Sequence, residues 1–375
     1  MKISILQENL AKALNQVSKA VSNRPNIPVL ANVLIVAEKG KVKLSGTNLD
    51  IGVNTWLGAD IAEEGSLTVS AKLLAEFVNS LSSGKIELIQ IKNNLEVKSV
   101  DNTAEFNVIP ANDFPSVPKS EGNPIVKINA LDFAEAVRQT AISTATDDSR
   151  PVLTGLLLEA TERKISLVGV DGFRLSKKIL KVDLGPKEDI KEIVPARSLM
   201  ELEKIIRDLS DKETMLEIYL LESKNQMIFK VENTEFTTRM IEGEFPNYSQ
   251  IIPNTKNVSF QVLKEELSNT VKIAGIFARN VIGNKARFKF DPEKKTLELF
   301  ANVVDVGNNE SKVTISKPEG DKLETAYNMK FLQDMINVIN GDEILYESEG
   351  ITSPGVFKDK DDPDFLHIIM PMRLD

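Results

Sequence analysis

The chain has 375 residues, 42% hydrophobic and 27% charged, with 55 acidic residues against 46 Lys and Arg and a formal charge of −9. That length suggests roughly two to four domains, and the composition is that of a globular protein able to bury its own core without covalent staples. There is no cysteine, which excludes disulfides, thiolate metal sites and cysteine nucleophiles.

Met1 to Leu10 lacks the continuous apolar stretch of a secretory signal and reads as a strand running into a helix. No segment approaches the ~20 apolar residues of a membrane span, so the expected location is cytoplasmic. Ile3-Ser4-Ile5 is a short alternating strand, and Leu10, Ala13, Leu14 and Val17 follow at helical spacing. A second strand-to-helix junction comes at Val69-Ser70-Ala71-Lys72-Leu73-Leu74, and the turn Ser82-Ser83-Gly84-Lys85 ends that helix. A strand with Phe106 and the exit Asn112-Asp113-Phe114-Pro115 close the segment.

The same succession then begins again. Val126-Lys127-Ile128 leads to Phe133, Ala136, Val137 and Ala141, then Val194-Pro195-Ala196-Arg197-Ser198-Leu199, a turn from Asp208 to Glu213, Phe236, and Glu244-Phe245-Pro246-Asn247. A third round runs through Val258-Ser259-Phe260, Leu267, Val271 and Ala274, Tyr327-Asn328-Met329-Lys330-Phe331-Leu332, the turn Asn340-Gly341-Asp342-Glu343, Phe365, and Met370-Pro371-Met372. Ser70, Pro195 and Asn328 occupy the junctions where a helix cap or a first-turn proline is favoured. Each round holds two helices and several alternating strands, an α+β unit. Polar, proline-bearing linkers at Val117 to Pro124 and Pro253 to Asn257 place the domains at 1–122, 123–253 and 254–375.

Chemistry is sparse. The single histidine, His367, cannot build a multi-histidine metal site. It lies in the alternating run Phe365-Leu366-His367-Ile368-Ile369, which reads as a strand. No phosphate loop and no G-x-G-x-x-G is present. The acidic run Asp359-Lys360-Asp361-Asp362-Pro363-Asp364 lacks the EF-hand spacing and reads as a solvated loop, as does Asp147-Asp148. No metal or cofactor is expected, and no carboxylate pair is placed for acid–base work.

A family resemblance rests on the triplicated plan together with Asn23-Arg24-Pro25-Asn26-Ile27-Pro28-Val29-Leu30, Arg150-Pro151-Val152-Leu153-Thr154-Gly155, Asp171-Gly172-Phe173-Arg174-Leu175, Glu244-Phe245-Pro246-Asn247-Tyr248 and Met370-Pro371-Met372-Arg373-Leu374. In order, and across the whole chain, these resemble the bacterial DNA polymerase beta clamp family. The resemblance implies a non-catalytic processivity subunit: three domains of the DNA-clamp fold, helices lining a hole and antiparallel sheets outside, closed head-to-tail with a second chain into a homodimeric ring. The implied partners are double-stranded DNA, held topologically, the polymerase alpha subunit, the clamp loader and other clamp-binding-motif proteins, with no membrane.

For DNA contact the resemblance favours Arg24 and, in the matching loop of the second domain, Arg150. Helix positions add Lys12 with Lys19, Arg138, Arg197, Lys204, Arg207, Lys264, Lys272 and Arg279 as a mildly basic lining. The partner-peptide cleft is implied at Leu153, Val170, Gly172, Arg174, Leu175, Pro246, Ile251, Ile368, Met370, Pro371, Met372 and Arg373, with the methionines adapting to varied clients and the two arginines holding polar peptide ends. The dimer contact is implied between Phe106 and Val108 of one chain and Ile276 and Phe277 of the other. Two other readings stay open: a cofactor-free hydrolase, and a protein-binding scaffold that never surrounds DNA.

Overall fold

The computed structural model describes residues 1–22, 25–38, 40–303 and 307–374. Among them are six α-helices, two in each third of the chain: α1 (Gln7–Val17), α2 (Ala71–Ser80), α3 (Ala130–Ala141), α4 (Ala196–Leu209), α5 (Lys264–Ala278) and α6 (Met329–Val338). Each follows a short strand, as the repeated sequence pattern requires. In α1 the residues at three- and four-residue spacing, Leu10, Ala13, Leu14 and Val17, are buried, while Lys12 and Asn15 are exposed.

The first helix of each third begins the same way. Its first N–H has no partner within the helix and donates instead to a carbonyl of the turn that follows the second helix: Gln7 to Gly84 at 2.8 Å, Ala130 to Thr214 at 2.9 Å, Lys264 to Asp342 at 2.8 Å. The second helices differ in their caps. Asn328 accepts from the N–H groups of Lys330 and Phe331 at 2.8 and 3.3 Å, an N-cap of the favoured kind. Ser70, expected to do the same, makes no such bond, and Pro195 is the last strand residue before α4 rather than a first-turn helical one.

The chain packs as two compact units. The first comprises Met1–Ala134, Val182–Lys187 and Glu201–Met240, with one antiparallel sheet of 13 strands. Within it Thr234–Arg239 pairs with Ile51–Gly58, Phe236 opposite Val53, so that sheet edges from the first and second thirds are zipped together. The second comprises Glu135–Lys181, Glu188–Met200 and Ile241–Asp375, with sheets of nine and four strands. Here Arg174–Lys181 pairs with Asp362–Ile369, Leu175 opposite Ile368.

Alternation along these strands puts every second residue into the core. In the second unit this assembles an aromatic stack: Phe260 lies 4.8 Å from Tyr346 and 5.3 Å from Phe290, and Phe288 meets Tyr327 edge-on at 5.1 Å. No helix among the described residues is long and apolar enough to cross a membrane. No group of three or more potential metal ligands occurs among them. The acidic run departs from its expected solvation at one residue. Asp359 is 2% exposed, and its carboxylate accepts from the N–H groups of Asn340, Gly341 and Asp361.

Candidate functional site

The cleft residues are gathered by one turn and one chain end, both in the second unit. Strands Lys164–Val170 and Arg174–Lys181 are joined by a tight turn in which Asp171 Oδ1 accepts from the N–H groups of Phe173 and Arg174 at 2.8 and 2.9 Å. Gly172 adopts φ +92°, the left-handed conformation such a turn demands. The strand Asp362–Ile369 lies alongside. Beyond it the Met370 N–H donates to the Phe173 carbonyl at 2.8 Å, and the Met372 N–H to the Ala326 carbonyl at 2.8 Å. Chain ends fray unless tied; these two bonds hold Met370-Pro371-Met372 beside the turn.

Leu153, Val170, Leu175 and Ile368 are all buried at 4% exposure or less. Val170, Leu175 and Ile368 share one apolar cluster with Leu157, Val168, Phe245, Tyr248 and Val356, and Val152, Ile251 and Ile252 pack on its margin. These side chains form a floor. The accessible apolar surface is contributed by Phe173, 66% exposed, and Met370, 37% exposed, with Pro246 exposed and Pro371 and Met372 half-buried. Phe173, Val152 and Val356 were not singled out in the sequence; an aromatic residue in an Asx turn, where a polar side chain is usual, was the available signal for the first.

Arg174 corrects one expectation. It is 8% exposed. Its Nε lies 3.0 Å from Asp171 Oδ2, its Nη1 2.7 Å from Asp334 Oδ2, and its guanidinium stacks over the Phe331 ring at 4.2 Å. The charge is met by two carboxylates inside the protein, so Arg174 braces the turn and is not available to hold a peptide end. Arg373 is exposed.

His367 stands on the strand as expected, but on its buried face. It is fully buried; Nδ1 lies 2.7 Å from Ser176 Oγ and 3.5 Å from Ser143 Oγ. Burial, then the nearby Arg174 charge, push its pKa down to about 3, so the ring is neutral. The Ser176–His367 contact is of hydrogen-bond length, but the ring bonds no carboxylate among the described residues and the group has no access to solvent, so it does not make up a nucleophilic triad.

The basic candidates fall into two classes. Lys12, Arg150, Arg197 and Arg279 are exposed; Arg197 Nη2 reaches the Thr146 carbonyl at 3.4 Å and Arg279 Nε the Gly275 carbonyl at 3.4 Å. Lys272 is exposed as well and Lys19 half-buried; the remaining four described candidates are locally engaged. Lys204 pairs with Glu201 at 2.8 Å and Arg207 pairs with Glu203. Lys264 donates to the Ile339 carbonyl at the end of α6, at 2.6 Å. Arg138 binds Glu135, the carbonyls of Asn337 and Val338, and Asn340 Oδ1. For Arg138 and Lys264 the expectation of a free lining charge is therefore corrected: both tie helix ends together. Arg24 lies outside the described residues.

Of the dimer candidates, Phe106 is half-buried and meets Phe77 edge-on at 5.7 Å, and Val108 is half-buried. Ile276 is 54% exposed, whereas Phe277 packs partly against its own core. Among the described residues, the strand Thr103–Ile109 pairs with its neighbour Gly65–Ser70 only through Val108 and Ile109, and the edge from Thr103 to Asn107 has no strand partner on that side.

Comparison with known proteins agrees throughout the chain. The DNA polymerase III beta subunit N-terminal, central and C-terminal domain models match residues 1–118, 127–247 and 249–373. The beta sliding clamps of Bacillus subtilis and Synechococcus elongatus are 26% and 29% identical to it, each covering 100% of both chains. Among solved structures, the sliding clamp of Bacillus subtilis superposes with a TM-score of 0.93 at 25% identity. A sliding clamp from Pseudomonas aeruginosa bound to griselimycin does so at 0.93 and 26%, again over 100% of both chains. With all three domain models matched in order, the chain belongs to the DNA polymerase III beta subunit family, the beta sliding clamps.

Proposed function

We propose that this chain, a non-catalytic sliding clamp, pairs head-to-tail with a second copy into a ring around duplex DNA and carries clients on the cleft between Phe173 and Met370. The observation that carries the cleft is the tied chain end. Two backbone hydrogen bonds fix Met370 and Met372 beside the Asp171 turn, so an apolar strip is held open to solvent above a closed floor. An extended peptide with two apolar side chains can lay them on this strip, and methionine adapts to their shapes. The clients are the replicative polymerase alpha subunit, the clamp loader and other proteins with the same short motif.

The ring reading resolves the charge. A net charge of −9 suits a protein that stays on DNA by linkage, because tight phosphate contacts would brake sliding. Lys12, Arg150, Arg197, Lys204 and Arg279 would offer screened contacts only, as would Arg24. The domains divide at 1–122, 123–253 and 254–375, and the protein works in the cytoplasm.

The test is binding of a fluorescent peptide of Gln-Leu-x-Leu-Phe type to the full chain and to a version ending at Ile369. Saturable binding, lost on truncation, supports the cleft. Absence of binding to the folded full chain overturns it. The ring is tested separately by retention of the loaded protein on circular DNA and its loss from the same DNA once linearised.

A further inference from the structure

The turn that carries the cleft has a counterpart in the first third. Strands Lys41–Thr47 and Ile51–Gly58 are joined by a turn in which Asn48 Oδ1 accepts from the N–H groups of Asp50 and Ile51 at 3.0 and 2.9 Å, as Asp171 does for Phe173 and Arg174. Leu49, at φ +80°, stands where Gly172 stands at φ +92°. The register of the next strand matches as well. Thr237 lies opposite Gly52 as Ile368 lies opposite Leu175. The Arg239 N–H donates to the Asp50 carbonyl at 3.1 Å as Met370 does to Phe173. The repeat thus builds the same scaffold twice, with Thr237 in place of the floor residue Ile368 and Arg239 in place of the rim residue Met370.

Unlike a residual crease, this place is a cavity of about 390 Å³. Its apolar wall is Leu49 with Pro115, Val117 and Pro118 of the linker. The linker is fastened there. Val117 lies where a side chain at Gly52 would be, 2.7 Å from its Cβ position, and Asn54 donates to the Pro118 carbonyl at 3.0 Å. The opposite wall is polar: Thr237, 2% exposed, and Gln226 line it, and neither Thr237 Oγ1 nor Gln226 Oε1 has a hydrogen-bond partner among the described residues. Buried polar atoms are nearly always paired. At the rim Arg239 and Lys224 are exposed and make no ion pair among the described residues; of the residues lining the cavity, Asp50 carries the carboxylate.

We propose that this groove is a second docking site, which takes an extended acidic peptide segment of a partner protein. Carboxylates of the segment meet Arg239 and Lys224. On binding, the shielded Gln226 and Thr237 side chains turn toward the segment, so that a backbone N–H meets Gln226 Oε1 and a carbonyl accepts from the Thr237 hydroxyl, and one leucine-sized side chain covers Leu49 and the linker prolines. A wholly apolar client peptide is disfavoured here, because it would leave Thr237 Oγ1 and Gln226 Oε1 still without a partner and Arg239 and Lys224 without a counter-charge. The site is independent of the Phe173–Met370 cleft.

The probe is a fluorescein-labelled, acetylated Asp-Asp-Leu-Asp-Leu-amide peptide, titrated by anisotropy against the full chain, with and without excess unlabelled Gln-Leu-x-Leu-Phe type peptide. Saturable binding is expected, weakened about tenfold or more by Arg239→Glu, weakened also by Thr237→Val, and unchanged by the competitor or by Met370→Asp. Undiminished binding of the Gln-Leu-x-Leu-Phe type peptide to the Arg239→Glu variant shows that the variant is folded and reads the other cleft by itself. The proposal is overturned by absent binding, by binding indifferent to Arg239→Glu, by full competition from the apolar peptide, or by equal binding of an all-aspartate peptide, which would report charge alone.

Discussion

Arg174 and Asp334 meet at 2.7 Å, joining the Asp171 turn to helix α6. Removing one partner of a buried ion pair leaves the other uncompensated and costs on the order of 3 kcal/mol. Arg174→Ala is expected to lower the urea midpoint and to abolish client-peptide binding together, because the turn loses its brace. Arg174→Lys keeps the charge but loses the planar fork and the stacking on Phe331, and should fall between. Peptide binding lost without any loss of stability would assign Arg174 to direct contact.

Leu49 holds a positive φ that bulky residues rarely adopt, and its side chain is 46% exposed. Leu49→Gly should therefore stabilise the chain by about 1 kcal/mol, read as a raised thermal midpoint. A lowered midpoint would mean that the packing of Leu49 on the linker outweighs the backbone strain.

His367 titrates at about 6.5 when unfolded and at about 3 when buried. The folded state therefore binds fewer protons between these values, and protonation favours unfolding. Stability is complete above pH ~6.5 and is lost progressively as pH falls toward 3, by about 3 kcal/mol between pH 7 and pH 4 from this residue alone. In His367→Gln that component disappears. Denaturation midpoints followed from pH 7 to pH 4 should fall more steeply in the unsubstituted chain than in the variant; parallel profiles would refute the assignment.

The hydroxyls of Tyr327 and Tyr346 bond each other at 2.9 Å in the aromatic stack. Tyr346→Phe orphans the Tyr327 hydroxyl and should cost about 1–2 kcal/mol, whereas the double change to Phe removes both polar groups and should cost less than the single one. Additive losses in a double-mutant cycle would argue against the pairing.

If the chain dimerises through the open edge near Phe106 and the exposed Ile276, Ile276→Asp should weaken the dimer about tenfold or more. Sedimentation would show the single-chain mass at concentrations where the unsubstituted chain shows twice that mass. An unchanged mass would move the interface elsewhere.

Periodicity located the strands and helices because burial imposes its spacing on the sequence directly: Leu10, Leu14 and Val17 are legible as one face before any fold is known. The triplication was legible for the same reason. The engagement of Arg138 and Lys264 was not, since each binds carbonyls at the end of α6, far along the chain. An exposed-looking basic residue on a helix carries no mark of a partner that only packing supplies.

By itself, then, the sequence settled the absence of cysteine chemistry, the repeated α+β plan and the family, all properties of residue type and local spacing. Only the tertiary structure decided which cleft residues face solvent. Leu175 and Ile368 sink into the floor because they pair across strands that lie far apart in the chain. Phe173 and Met370 rise to the rim because one hydrogen bond from the tied chain end holds them there. The same long-range pairing placed Thr237 and Arg239 at the matching positions of the first unit, a correspondence set by strand register and invisible in composition.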